Sequence, residues 1–193
     1  TCHIGNGASI AAVKDGKCVD TSMGLTPLEG MMMGTRSGDI DASAVLAIMK
    51  EEGLTPDQMS DLLNKQSGVL GISGVSSDMR EVTAAAEAGN ARAALALEMY
   101  SHRIKKYIGS YAAIMGGVDV IVFTAGVGEH QWDVRYNSTT GLEFLGVKLD
   151  EAKNRKNFGE EEIISAEDSR VKVVVVPTDE ELMIASDTLE LVS

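Results

Sequence analysis

The chain has 193 residues, a length that suits one domain or one half of a larger protein. A hydrophobic fraction of 44% supports a packed core and excludes a disordered chain. The formal net charge of −12 argues against nucleic-acid binding, because an acidic surface repels phosphate groups. No apolar run is long enough to cross a bilayer. Two cysteines are too few for a disulfide scaffold, which favours a reducing cytoplasm.

The first 22 residues predict an antiparallel meander of three strands. The strand segments are TCHI, ASIAAV and KCVDTS, at residues 1–4, 8–13 and 17–22. Asn6 with Gly7, and Asp15 with Gly16, join them as tight hairpin turns, since these residues tolerate positive φ. The first strand is very short and no methionine precedes it, which favours a chain cut from a longer one.

Four helices are predicted after the meander. They cover about residues 41–52, 56–66, 79–88 and 91–115, with loops at 23–39 and 67–78. Asp39 and Thr55 are the expected caps of the first two, and Gly53 ends the first. Asp78 with Glu81 resembles a capping box for the third. The fourth is amphipathic, with apolar residues at helical spacing: Leu97, Ile104, Ile108, Tyr111 and Met115.

Two apolar β-branched runs, VDVIVF and VKVVVVP, predict central strands that are covered on both faces. The segment TAGVGEH and a helix follow the first run, and TDEEL and a final helix to about Leu191 follow the second. Residues 150–162 are highly charged and are expected to form a solvated helix and loop. The order βββ-α-β-α-β-α predicts an α/β fold, a ribonuclease-H-like mixed sheet with helices on both faces.

Ligands of open α/β sheets bind beyond the carboxyl ends of the parallel strands. Near one such end, Gly5, Asn6 and Gly7 let backbone N–H groups approach phosphates closely, although most Asn-Gly hairpins bind nothing. His3 can donate a hydrogen bond to a phosphoryl group, although a lone histidine at a strand end is more often structural.

Arg36 lies between glycines in a predicted loop. Its planar fork suits phosphoryl oxygens or a carboxylate substrate, and the alternative is a surface ion pair with Asp39 or Asp41.

The two remaining strand ends carry further candidates. Gly126 and Gly128 allow a base or ribose to approach the backbone.

Glu180 and Glu181 follow the last strand. A carboxylate there can hold Mg²⁺ directly or through water. The alternative is that both residues only favour the first turn of the final helix, where the helix dipole attracts negative charge.

Together these segments closely resemble the acetate kinase family. The resemblance rests on residues 1–41 and on SSDMRE, FTAGVGE and VPTDEELMIASDT, in the same order. It implies that residues 1–193 are a single nucleotide-binding domain, the carboxyl-terminal half of a two-domain kinase whose N-terminal domain is absent from this chain. It places the fold in the superfamily of sugar kinases and actin.

The resemblance also implies the activity and the partners. Family members convert ATP and acetate to ADP and acetyl phosphate by direct in-line transfer with Mg²⁺, as cytoplasmic homodimers. The missing half supplies a further catalytic arginine, a catalytic aspartate and much of the acetate pocket. The chain alone is therefore expected to bind nucleotide weakly and to have little kinase activity.

Individual residues take roles from the same resemblance. His3 and Arg36 match catalytic residues, and Glu180 matches the Mg²⁺-associated glutamate, with Glu181 as the alternative. The residues that match the phosphate-binding loop and nucleotide pocket are His3, Ile4, Gly5, Asn6, Gly7, Asp78, Met79, Arg80, Gly126, Val127, Gly128, Glu129 and His130. The family usually has asparagine where this chain has His130.

Other functions stay open at the level of sequence. Propionate and butyrate kinases share these signatures, and the residues that measure acyl-chain length lie largely in the missing half. A non-catalytic nucleotide-binding or dimerisation module would retain the same fold. A dinucleotide-binding dehydrogenase is disfavoured, because no G-x-G-x-x-G joins an opening parallel strand to a helix.

Overall fold

A mixed six-stranded sheet organises the computed structural model, which describes residues 1–192. The strands are β1 (Cys2–Ile4), β2 (Ala8–Lys14), β3 (Lys17–Thr21), β4 (Val120–Thr124), β5 (Glu162–Ile163) and β6 (Lys172–Val175). Their order across the sheet is β3-β2-β1-β4-β6-β5. The predicted meander is confirmed, because β1 pairs antiparallel with β2 and β2 with β3.

Parallel pairing joins the meander to the later strands. β1 pairs parallel with β4, and β4 pairs parallel with β6. The carboxyl ends of these three strands therefore lie at one edge of the sheet. β5, which has no predicted counterpart, closes the other side antiparallel to β6. The predicted fold class, a mixed α/β sheet with helices, is confirmed.

Nine α-helices are described within residues 1–192. They are α1 (Ala42–Glu52), α2 (Pro56–Lys65), α3 (Gly68–Ser73), α4 (Met79–Glu87), α5 (Ala91–Met115), α6 (Ala125–His130), α7 (Trp132–Thr139), α8 (Glu151–Lys156) and α9 (Glu180–Val192). Thr55 closes a capping box on α2 with Gln58, and Asn90 caps α5. α3 lies within a predicted loop, and α6 occupies a predicted turn.

The predicted cap Asp39 is wrong, because Asp41 caps α1. Asp41 Oδ1 accepts a hydrogen bond from the backbone N of Ser43 at 2.7 Å. Asp39 Oδ2 instead accepts from Arg103 Nη1 at 2.7 Å and from Tyr107 Oη at 2.9 Å. Asp39 therefore ties the loop before α1 to the long helix α5.

The core lies on one face of the sheet. Alternate strand residues point into it and are at most 3% exposed: Cys2, Ile4, Ile10, Ile121, Phe123, Val173 and Val175. Helix α5 covers this face with Ile104, Ile108 and Tyr111, as the amphipathic pattern predicts. Residues of the opposite face, such as Ser9 and Val122, are only half-buried, so residues 1–192 cover that face in part.

Two segments differ in burial from what their sequences indicate. Met31, Met32 and Met33 belong to a predicted loop, yet all three are at most 4% exposed and lie in the core. By contrast, the described part of α9 has no buried residue, although it is rich in large apolar side chains. None of the helices described between residues 1 and 192 combines the length and apolar character of a membrane span.

Candidate functional site

The glycine turn (residues 5–7) lies between the loop of Arg36 and the start of α6. Arg36 Nη1 is 3.7 Å from the position that a Cβ on Gly7 would occupy. A Cβ on Gly5 would lie 3.6 Å from the Cβ of Ala125, the first residue of α6. Three separate parts of the sequence therefore meet at the carboxyl ends of β1 and β4.

Gly34 brings the segment before α4 to the same place. Its N–H donates to the carbonyl of Asn6 at 3.1 Å. A Cβ on Gly34 would lie 2.1 Å from Asn6 Oδ1 and 3.1 Å from the carbonyl oxygen of Ser77, so a larger residue there would have to displace both groups. This contact places Asp78, the residue after Ser77, beside the glycine turn.

Arg36 is half-buried and has no acidic partner within residues 1–192. Its hydrogen bond is to Met33 Sδ, at 3.6 Å. The two carboxylates considered as its partners are occupied, because Asp39 pairs with Arg103 and Asp41 caps α1. The surface ion pair is therefore wrong for both residues, and the guanidinium fork remains available to an anion.

His3 lies at the same edge of the sheet, on the face opposite the core. Its neighbours Cys2 and Ile4 are buried, whereas His3 is half-buried, as the alternation of a strand requires. The parallel register sets His3 beside Thr124 at the end of β4. Thr124 Oγ1 in turn hydrogen-bonds to Thr178 Oγ1, beyond the end of β6.

Thr178 and the buried Glu129 connect the ends of β4 and β6. The backbone N of Thr178 donates to Glu129 Oε1 at 2.9 Å, and Thr178 Oγ1 accepts from the backbone N of Ala125 at 3.2 Å. Ala125 has φ of 64°, a left-handed conformation that is unfavourable for alanine. The start of α6 is thus held in a strained conformation by contacts from both strands.

Glu180 and Glu181 are exposed in the first turn of α9, two and three residues beyond Thr178. Residues 1–192 contain no group of three or more histidine, cysteine or acidic side chains arranged to hold a metal. Mg²⁺ commonly takes only one or two protein carboxylates and fills its other positions with water and phosphate oxygens. A single exposed carboxylate such as that of Glu180 fits this ligand set.

Asp78 and Arg80 form an ion pair at the amino end of α4. Arg80 Nη2 and Asp78 Oδ2 are 2.5 Å apart, and Asp78 also caps α4 by accepting from the backbone N of Arg80. The backbone N of Asp78 donates to Ser76 Oγ, at 3.1 Å, rather than to Glu81. The hydrogen bonds from Arg80 lower the pKa of Asp78 to about 2. The carboxylate is therefore charged at neutral pH, and Arg80 remains exposed at the surface.

Three predicted site residues lie in the core and can offer a ligand only their backbone. Ile4 is fully buried, and Met79 is 5% exposed. The α-carbon of Gly128 packs against β1, since a Cβ there would lie 3.6 Å from the Cβ of Ile4. These three residues therefore anchor the neighbouring loops to the core.

Arg135 is a residue that the sequence reasoning missed. It is fully buried and donates five hydrogen bonds, all to uncharged oxygens. The acceptors are the carbonyls of Gly128, Glu129, Asn154 and Asn157 and the side-chain oxygen of Asn154. Burial lowers its pKa to about 10, so the guanidinium is still protonated at neutral pH. Arg135 therefore fastens the end of α6 to α8 and to the loop that follows α8.

His130 and Phe158 form an exposed aromatic contact at the end of α6. Their ring centroids are 4.8 Å apart at an interplanar angle of 78°. His130 Nδ1 pairs with the carbonyl of Gly126 at 2.9 Å. The predicted solvated segment 150–162 is therefore only partly solvated, because Asn154 and Asn157 are buried around Arg135 while Phe158 is exposed.

A cavity of about 560 Å³ lies elsewhere, at the amino ends of β1 and β4. Its lining includes Thr1, Lys14, Tyr111 and Val120. No predicted site residue lines this cavity, and it lies at the end of the strands opposite the glycine turn. It is therefore separate from the candidate site.

Comparison with known proteins identifies the family. A sequence model of the acetokinase family matches residues 1–186. The chain belongs to the acetokinase family. It is 68% identical over 191 residues to the acetate kinase of Bacteroides thetaiotaomicron and 63% identical over 194 residues to that of Thermotoga maritima. These alignments cover 99% and 100% of the chain but 48% of each relative, so the chain spans about half the length of the curated relatives it matches.

Solved structures of the acetokinase family share the fold. The crystal structure of Porphyromonas gingivalis acetate kinase matches with a TM-score of 0.96 and 57% identity, over 100% of this chain and 48% of that one. A propionate kinase from Francisella tularensis matches with a TM-score of 0.88 and 46% identity, over 95% of this chain and 47% of that one. The resemblance drawn from the sequence segments is confirmed.

The substitution Arg135→Lys is expected to destabilise the protein. Lysine keeps the charge but cannot reach five acceptors with one ammonium group, so buried carbonyls lose their partners. We expect the free energy of unfolding to fall by about 2–4 kcal/mol, measured by denaturant unfolding. The control is Arg155→Lys, on the exposed surface of α8. Equal stability of the two variants would contradict the role given to Arg135.

Proposed function

We propose that the complete protein transfers the γ-phosphoryl group of ATP to acetate, reversibly forming ADP and acetyl phosphate. The observation that carries the proposal is the contact of the glycine turn with Arg36 and with the start of α6, in a chain of the acetokinase family. Residues 1–193 would supply the nucleotide-binding domain, and a second, N-terminal domain would supply the rest of the acetate site.

Arg36 and His3 are proposed to act on the transferring group. A carboxylate oxygen of acetate forms the new P–O bond as the bond from the γ-phosphorus to the β–γ bridging oxygen breaks, so no covalent enzyme intermediate is needed. Charge spreads over the equatorial oxygens of the transition state, where fixed donors stabilise it most. Arg36 suits this role because no carboxylate within residues 1–192 competes for its fork.

The segments around the glycine turn are proposed to bind the nucleotide. Residues 78–80 approach the turn through Gly34, and residues 126–130 approach it through Ala125. Arg80 is exposed and already paired with Asp78, so we assign it to the rim of the pocket.

Mg²⁺ is proposed as the cofactor, with Glu180 as its protein ligand, directly or through water, and Glu181 as the alternative. The ion, when bound, neutralises charge on the β- and γ-phosphate oxygens. Thr178 supports this assignment because its hydrogen bonds to Thr124 and Glu129 fix the chain just before Glu180. Glu129 itself is occupied by the backbone of Thr178.

The decisive test of the reaction is Arg36→Ala in the complete protein. We expect kcat to fall about 10³-fold or more while the KM for ATP stays within a few-fold, because the arginine acts mainly in the transition state. Arg36→Lys should recover only part of the rate, since lysine lacks the fork. The control is Arg170→Ala, whose side chain lines the distant cavity. A complete protein without any turnover would favour the non-catalytic nucleotide-binding module.

Propionate and butyrate are the alternative acceptors. The similarity to a propionate kinase keeps this alternative open, but the identity to the acetate kinase of Bacteroides thetaiotaomicron is higher, at 68% against 46%. We expect kcat/KM of the complete protein to be highest for acetate, in a coupled assay that compares the three acids at saturating ATP. A preference for the longer acids by tenfold or more would reassign the substrate.

The complete protein is also proposed to be a cytoplasmic homodimer. Helix α1 supports self-association because none of its residues is buried and Leu46 is 66% exposed. Light scattering of the purified complete protein is expected to give twice the mass of one chain. A monomer at micromolar concentration would contradict this part of the proposal.

A further inference from the structure

We propose that Asp39, Arg103 and Tyr107 form a positioning cluster that holds Arg36 in place for phosphoryl transfer, and that they raise the rate without contacting nucleotide or acetate. The inference rests on the proposed function, which assigns Arg36 to the transition state. The cluster adds three residues that lie outside the predicted nucleotide pocket and act through the arginine.

The loop that carries Arg36 is closed at its base by Asp39. The backbone N of Gly30 donates to Asp39 Oδ1 at 2.9 Å, and the backbone N of Asp39 donates to the carbonyl of Gly30 at 3.0 Å. The two sides of the loop also pack directly, since a Cβ on Gly38 would lie 2.5 Å from the carbonyl carbon of Met31. Residues 30–39 therefore form a closed loop whose placement follows that of the Asp39 carboxylate.

The second oxygen of the same carboxylate joins this loop to helix α5. Asp39 Oδ2 accepts from Arg103 Nη1 at 2.7 Å and from Tyr107 Oη at 2.9 Å, and Arg103 Nη2 also donates to the carbonyl of Asp39 at 3.4 Å. The ion pair is partly shielded from water, because the Arg103 side chain is 23% exposed and that of Asp39 is 33% exposed. Hydrogen bonds to charged groups are stronger than neutral ones, so this cluster is a firmer anchor than an exposed surface ion pair.

Helix α5 also contacts the glycine turn, which makes it a common support for the turn and for the Arg36 loop. Tyr100 is 1% exposed, and its Oη donates to the carbonyl of Gly5 at 3.5 Å. Tyr100, Arg103 and Tyr107 are spaced by three and four residues, so they lie along one face of the helix. They span about 10 Å of a continuous helix of 25 residues. The placement of Arg36 relative to the glycine turn therefore depends on α5.

Arg36 needs such an anchor because little holds the end of its own side chain. Its hydrogen bond is to Met33 Sδ at 3.6 Å, and a thioether is a weak acceptor. The position of the guanidinium is therefore set mainly by the backbone of the loop. A displacement of a catalytic group by about 1 Å can lower a rate about 100-fold. Loosening Asp39 should therefore lower kcat, whereas the KM for ATP should change little because other segments bind the nucleotide.

The test is a double-mutant cycle on the complete protein, with kcat and the KM for ATP measured in a coupled assay. The variants are Asp39→Asn, Arg36→Ala and the two together. Asparagine keeps the shape of aspartate but offers one oxygen, so it cannot accept from both Gly30 and α5. We expect Asp39→Asn alone to lower kcat about 10- to 100-fold and to leave the KM for ATP within about threefold.

The second arm of the cycle distinguishes positioning from general damage to the fold. In the Arg36→Ala background, Asp39→Asn should lower the remaining kcat by less than about threefold, because no guanidinium is left to position. A merely structural role of Asp39 would instead lower kcat by the same factor in both backgrounds.

Two further variants control for stability. Asp41→Ala deletes the cap of α1 two residues beyond Asp39, and it should lower the temperature of unfolding while kcat stays within about twofold. Tyr107→Phe removes a single hydroxyl from the cluster, and it should lower kcat about two- to fivefold. If Asp39→Asn does not fold, the same cycle with Tyr107→Phe decides in its place.

The outcomes separate the cluster from the proposed function. An unchanged kcat in the folded variant of the cluster, or equal losses with and without Arg36, would overturn the positioning role and leave the kinase assignment in place. A KM for ATP raised about tenfold or more with kcat unchanged would assign the cluster to nucleotide binding and overturn the positioning role as well. A complete natural protein without turnover would overturn the proposed function and the positioning role together.

Discussion

The parallel pairing of β1 with β4 is the contact on which the rest of the site depends. It sets Cys2 beside Phe123 and His3 beside Thr124, residues that come from distant parts of the sequence. Because the two strands run in the same direction, the glycine turn and the first residue of α6 leave the sheet at the same edge. A shift of the register by one residue would turn His3 into the core and Cys2 out of it, so the buried side chains also specify the position of His3.

The availability of Arg36 follows from how its loop is anchored. Buried methionines precede the arginine, and Asp39 follows it and binds both Arg103 and Tyr107 on α5. Asp39, the first carboxylate after Arg36 in the sequence, is therefore occupied by its contacts with α5. The loop is held in place on both sides of Arg36, while the guanidinium itself is left with a weak sulfur acceptor. The loop therefore positions the Arg36 guanidinium while no carboxylate within residues 1–192 neutralises its charge.

The sequence predicts those parts of the structure that depend on local chemistry. The turn at Asp15 and Gly16, the start of α2 at Thr55 and the length of α5 follow from turn residues, caps and periodicity, and all are confirmed. The turn at Asn6 and Gly7 joins β1 to β2 as predicted, but neither residue has the positive φ on which that prediction rested. α3 escapes prediction because it is short and contains two glycines; its helix is supported by tertiary contact, with Val69 N donating to the carbonyl of Met33. Asp39 misleads because two aspartates precede α1, and only the fold shows which one has another partner.

The residues of the candidate site also fall into two groups, those that the sequence predicts and those that only the fold shows. Glycine-rich segments and Arg36 are recognisable in the sequence because phosphate chemistry needs those residue types. Arg135 is not, because its importance arises from buried hydrogen bonds that join α7 to the end of α6, to α8 and to the loop after α8. The inward side of α7, where Val134 and Ser138 are also buried, is the signal that marks Arg135 as an interior residue. No local pattern indicates that Phe158 lies beside His130.

The left-handed backbone of Ala125 has a consequence for how this protein can change. An alanine in that conformation costs about 1–2 kcal/mol relative to its ordinary geometry, and glycine would avoid the cost. Glycine would also give the junction of β4 and α6 more backbone freedom, and so loosen the contact between the start of α6 and the glycine turn. Stability of the fold therefore favours glycine at position 125, whereas a fixed orientation of α6 favours alanine.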